Sequence, residues 1–178
     1  MATSHLALAE VLLEIGQSAA ALQHIEEAAR IAGDDNPDLA AVACVLEARA
    51  ALALGKKDQA LSLLEEAQKR VAESDELELR VRFQLTAASW CEETGDVAGA
   101  RSLIAAAQEA VKGIHPLYEM DSAVAAGALE FRRGDRETGR RQLTRLLKEA
   151  EKHDYGLAVA RLKRLLAPPA APPPRLTG

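Results

Sequence analysis

The chain has 178 residues and a net charge of −5, with 48% hydrophobic and 28% charged side chains but only 3% aromatics. This is material for one globular or repeat domain with a substantial core, and a core poor in aromatics must be built from alanine and leucine, which favours packed helices over strands. No uninterrupted apolar run approaches the ~18 residues that span a bilayer, and the start "MATSHLALAEVLLEIG" has no basic signal region, so a soluble, cytoplasmic chain is expected. Cys44 and Cys91 stand far apart with no second thiol or histidine at metal-ligand spacing, so they read as small buried thiols.

The elements follow in chain order. First helices of four hairpins are expected near 4–15, 37–54, 76–94 and 116–133, and second helices near 18–32, 57–73, 96–112 and 135–153. "DDNPDLA" puts Pro37 in a first turn behind Asn36, "ESDELE" offers Ser74 as an N-cap, and "HPLYE" uses Pro116 as Pro37 is used. "DYGLAVARLKRLLA" reads as an amphipathic helix over 154–166, with Leu157, Val159, Leu162, Leu165 and Leu166 on its apolar side, suited to cap the end of an array. The proline-rich segment 167–178 reads as a disordered tail. Its Pro169 and Pro172 have PxxP spacing, with no basic residue at the usual flanking distance.

Internal periodicity organises the whole. Gly16, Gly55, Gly95 and Gly134 recur at intervals of 39 to 40 residues, each between two apolar helical segments. Five residues after them stand Ala21, Ala60, Ala100 and Gly139; nine after, Ile25, Leu64, Ile104 and Leu143; twelve after, Ala28, Ala67, Ala107 and Leu146. These offsets share one helix face. Seven residues before the glycines are Ala9, Ala48, Ala88 and Gly127, so small residues oppose one another across each hairpin and let its helices approach closely. Glycine suits the left-handed end of the first helix, and Ser18, Asp58, Asp96 and Asp135 can cap the second.

With these residues the chain resembles the tetratricopeptide repeat family over about four units, roughly Leu6 to Lys152. The period exceeds the 34 residues of the family's usual unit, and its aromatic positions are mostly aliphatic here, so the helices or the loops between units must be longer. A HEAT or armadillo array, with a period near 40, is the rival architecture. The resemblance implies an all-α, right-handed α-solenoid over 1–166, in units about 4–33, 37–73, 76–112 and 116–153 with the capping helix. The chain begins almost inside the first helix, which reads as a boundary within a longer protein. Its C-terminal texture is similar to repeat segments of bacterial signalling proteins.

Catalytic patterns are missing. "ALALGKKD" has a Gly-Lys pair but neither the upstream glycine nor the following hydroxyl residue of a phosphate loop. Glu26–Glu27, Glu65–Glu66 and Glu92–Glu93 are adjacent and diverge by about 100° on a helix. His5, His24, His115 and His153 are scattered. No enzyme activity, cofactor or metal is expected.

Charge is asymmetric. Residues 1–100 carry 8 basic against 18 acidic side chains, and residues 101–178 carry 14 against 9, giving net −10 and +5. The basic cluster runs through Arg132, Arg133, Arg136, Arg140, Arg141, Arg145 and Lys148, then Arg161, Lys163 and Arg164. Interspersed acids and few aromatics make nucleic-acid binding the weaker reading, and head-to-tail self-association through opposite charges is a further one.

The resemblance implies a concave groove lined by first helices. Its positions fall on Glu10, Leu13 and Glu14; Val45, Arg49 and Leu52; Arg82, Ser89, Glu92 and Glu93; and Asp121, Phe131 and Arg132. Charges mixed with a few apolar groups suit a peptide or helix of a partner protein, without the basic carboxylate clamp some family members use on chaperone tails. A noncatalytic interaction module of unknown partner is thus expected, the alternative being a structural spacer or self-assembly segment of a larger protein.

Overall fold

The computed structural model describes residues 1–33 and 36–167. Among them are nine α-helices and no strand: α1 (Ala2–Glu14), α2 (Ser18–Ala32), α3 (Pro37–Ala53), α4 (Lys57–Glu73), α5 (Leu77–Thr94), α6 (Val97–Val111), α7 (Pro116–Arg133), α8 (Arg136–Lys152) and α9 (Gly156–Leu166). The tail expected at 167–178 lies, apart from Ala167, outside the described residues.

Local chemistry sets most boundaries. Pro37 and Pro116 open α3 and α7, where a missing N–H costs nothing. The Leu39 N–H donates to the Asn36 side chain at 3.1 Å. Asn36→Ala is expected to remove about 1 kcal/mol from the unfolding free energy, read by urea denaturation. Asp96 accepts from Gly99 N–H, and Asp135 from the N–H groups of Glu137 and Thr138, as their positions predict. Ser18 and Asp58 do not cap. They lie one and two residues too far inside, because α2 and α4 begin at Ser18 and Lys57, behind Gln17 and Lys56. Ser74 likewise stands two residues before the N-cap of α5, which is Glu76, and accepts from the Glu76 N–H at 3.2 Å.

Gly16, Gly55 and Gly95 have φ of 83°, 76° and 93°, the left-handed conformation that glycine adopts without strain. Gly134 departs from them. Its φ is −121°, and the Glu130 carboxylate occupies the space a β-carbon would need while accepting the Asp135 N–H at 2.7 Å.

Each helix packs on the next, with the spaced small residues at the crossings. Ala21, Ala60 and Ala100 are fully buried, as are Ala9 and Ala48 opposite them. In the α7–α8 hairpin Gly127 meets Leu143, and Gly139 approaches the backbone of Phe131. Cys44 and Cys91 are half-buried rather than buried, and burial, followed by the charge of Glu66, pushes the Cys44 thiol up to about 11.

The odd-numbered helices also touch one another in succession, α1 with α3, α3 with α5, α5 with α7 and α7 with α9, and α9 returns to α1. The helix expected to cap an end therefore does more: it joins the last hairpin to the first helix. One buried cluster of α1, α2 and α3 contains Leu6, Ala9, Leu13, Ile25 and Leu46. Another, of α7, α8 and α9, contains Val124, Leu143, Leu146, Ala158 and Leu162.

Candidate functional site

The five odd-numbered helices line a half-open cavity of ≈ 810 Å³. Its apolar wall includes Val45, Leu46, Leu85, Met120, Val124 and Ala128, with Tyr118 and Tyr155 adding aromatic faces. Among these, charged side chains bind one another across the helices.

Glu14, at the end of α1, is the most enclosed. Its side chain is 2% exposed and accepts from Arg161 Nε at 2.8 Å, from Arg161 Nη2, and from Arg49 Nη2. Arg161 Nη1 also meets Asp121 at 3.1 Å, so α1, α3, α7 and α9 join at one point. Burial pushes the Glu14 carboxyl up, but the hydrogen bonds and charges of Arg161 and Arg49 outweigh it and hold its pKa at about 2. Arg164 Nη1 donates to the carbonyls of Leu13, at 3.3 Å, and Glu14. Helix α1 has no basic residue in its own last turn. Arg164, from α9, supplies the cation that its orphan carbonyls favour.

A second network ties α5 to α1 and α7. Arg82 pairs with Glu10 and donates to the Tyr118 hydroxyl at 3.1 Å, and that hydroxyl donates to Glu78 at 2.8 Å. Burial raises the Tyr118 pKa, so the phenol stays protonated. Arg132 makes a two-pronged bond to Glu92 at 2.6 and 2.7 Å, with Glu92 7% exposed and Arg133 donating to the Glu92 carbonyl.

Of the groove positions expected from sequence, Glu10, Glu14, Val45, Arg49, Arg82, Ser89, Asp121 and Arg132 line the cavity. The other five lie elsewhere. Leu13 is buried in the α1–α2–α3 cluster, and Leu52 is half-buried off the cavity. Glu92 sits behind Arg132, while Glu93 faces solvent beside Lys57. Phe131 packs with the α7–α8–α9 cluster under the Arg136 guanidinium. Sequence reasoning missed Tyr118, Glu78, Tyr155 and the α9 residues Arg161 and Arg164. The last two were read with the basic cluster; their three-residue spacing, which puts both on one helix face, was the available signal.

Among the described residues no group of three or more His, Cys, Asp or Glu side chains is placed to hold a metal ion, and no helix is long and apolar enough to cross a membrane. No protein-family model, curated protein or solved structure matches the chain.

Proposed function

We propose that the chain is a noncatalytic protein–protein interaction module, a right-handed α-solenoid of tetratricopeptide type, which takes a peptide or helix of a partner protein in the cavity bounded by its odd-numbered helices. The resemblance rests on the sequence pattern. The cavity carries the reading of function: one concave space walled by five different helices combines apolar surface with oriented charges, the mixture that holds a segment by its side chains and fixes its direction. The Cys44 thiol, raised to about 11, is protonated at neutral pH and offers no nucleophile.

A spacer without a ligand is the second reading. It is favoured by one observation: Arg49, Arg82, Arg132 and Arg161 already have carboxylate partners within the chain. Selection from displayed random linear peptides decides between the two. Ser89 lines the cavity, is exposed, and takes no part in the ion pairs, so Ser89→Trp fills the space without breaking a charge contact. Peptides enriched on the unsubstituted chain are expected to bind Ser89→Trp at least about tenfold more weakly, a loss of ~1.4 kcal/mol, by fluorescence anisotropy. No enrichment, or equal binding by both proteins, favours the spacer.

A further inference from the structure

We propose that the outer face of α1 is a twofold interface, on which a second copy of this chain packs its own α1 in antiparallel register. The surface stands apart from the cavity and does not rest on the reading given to it.

The sequence of α1 leaves this face apolar and free. Ala2, Leu6, Ala9 and Leu13 form the buried row of the helix, and its two carboxylates turn to the cavity, Glu10 to Arg82 and Glu14 to Arg161. His5 turns to α2, where its Nδ1 meets that of His24 at 3.0 Å. What remains is Ser4, Leu8, Val11 and Ile15, spaced by four, three and four residues along one side of the helix and its C-cap. Leu8, Val11 and Ile15 are 43, 38 and 52% exposed. Met1 aside, the other exposed large apolar side chains of the described residues stand one to a helix or turn, and two of them, Leu117 and Leu157, line the cavity. Among the described residues, α1 alone presents them as a row. A helix that is apolar on its outer as well as its inner side has the pattern of one covered on both.

The row is complementary to itself, which is what a twofold contact requires. With a second α1 laid antiparallel and the axis between positions 9 and 10, Leu8 of each copy layers on Val11 of the other, and Ile15 of each on Ser4 of the other. Large meets small at the ends, and two medium side chains meet at the centre. Charge points the same way. No charge lies in the row to meet its own image, and Ala7 and Leu12, which flank it, carry none. A charged face selects an oppositely charged partner, whereas an uncharged one accepts its own copy. The row spans about 16 Å at 1.5 Å per residue, short beside the roughly 800 Å² per partner of a stable interface, so the dimer is reversible and forms at high protein concentration. Being apolar, it differs from head-to-tail association of the acidic and basic halves, which salt would weaken.

Sedimentation velocity of the full chain, from micromolar to millimolar concentration, tests the interface. The unsubstituted chain is expected to pass from monomer to dimer, and added sodium chloride is expected to leave the dimer as strong or make it stronger. Leu8→Lys and Val11→Glu, each placing an unpaired charge in the row, are each expected to weaken the dimer at least about tenfold while leaving the circular dichroism unchanged. Ile15→Ser serves if either loses its circular dichroism. An equimolar mixture of the Leu8→Lys and Val11→Glu chains is expected to dimerise again, because the new ammonium of one copy faces the new carboxylate of the other and the remaining Leu8 and Val11 still meet. A chain that stays monomeric throughout overturns the proposal, and so does a dimer that salt dissolves or that both single variants form as well as the unsubstituted chain. A mixture that stays monomeric overturns the antiparallel register.

Discussion

Glu14→Gln is expected to lower the unfolding free energy by about 3 kcal/mol at neutral pH and by almost nothing in strong acid. The figure follows from a carboxyl whose pKa stands at about 2 in the folded chain against 4.5 for the free side chain, at 1.36 kcal/mol per unit. A depressed folded pKa means that ionisation favours folding. The contribution is therefore complete above pH 4.5, declines as the carboxylate is protonated, and is gone once the pH falls below about 2. Glutamine keeps the shape and can still accept a hydrogen bond, but it carries no charge for Arg161 and Arg49. Other carboxylates, including Glu27, Glu130 and Asp135, are also held low, so the curve of either protein alone mixes several groups. The difference between the two proteins isolates Glu14. Urea denaturation of both across the acid range reads that difference; a gap that stays constant with pH would mean that Glu14 acts by shape and not by charge.

The same carboxylate shows where a sequence stops being legible. The four hairpins could be read because their signals are local: a glycine that ends one helix, an alanine five residues on, another twelve on, and Pro37 or Pro116 at a helix start. Each acts over one or two turns, and Ala21, Ala60 and Ala100 are buried where those offsets place them. Glu14 and Arg161 are 147 residues apart, and no periodicity connects them. The imbalance of charge between the two halves of the chain did carry the information, but in a form that head-to-tail association of two copies satisfies equally well. Here α1 and α9 of one chain meet, and part of the basic cluster turns inward to do so. Register accounts for the groove positions that missed the cavity. Leu13 follows the buried face of α1, whereas Glu10 and Glu14, one turn apart, share the face toward the cavity. Ser18 and Asp58 were misplaced as caps by one and two residues, a distance within which N-cap and first-turn positions attract the same residue types.

Gly139→Ala is expected to destabilise the chain by about 1–3 kcal/mol, although helix propensity alone argues the opposite. In an exposed helix interior, replacing glycine by alanine stabilises by about 1 kcal/mol, because glycine gives up more backbone freedom on folding. Position 139 lies within α8, where that gain applies. It also lies against α7. A β-carbon there would come to 2.5 Å of the Phe131 α-carbon and 2.8 Å of its β-carbon, closer than packed atoms allow. Backbone cannot rotate aside as a side-chain tip can, so α7 and α8 must separate. That separation loosens Leu143 and Leu146 beneath them, which anchor the cluster that seats α9. Gly99 is the useful contrast. It too lies inside a helix, but its nearest neighbour is the side chain of Asp96, which can move at the cost of one cap. Thermal and urea denaturation of Gly139→Ala and Gly99→Ala should therefore differ, with the larger loss at 139. A stabilised Gly139→Ala would show that the two helices are not in contact at that crossing, and would remove the reason for a glycine where the three other hairpins carry Ala21, Ala60 and Ala100.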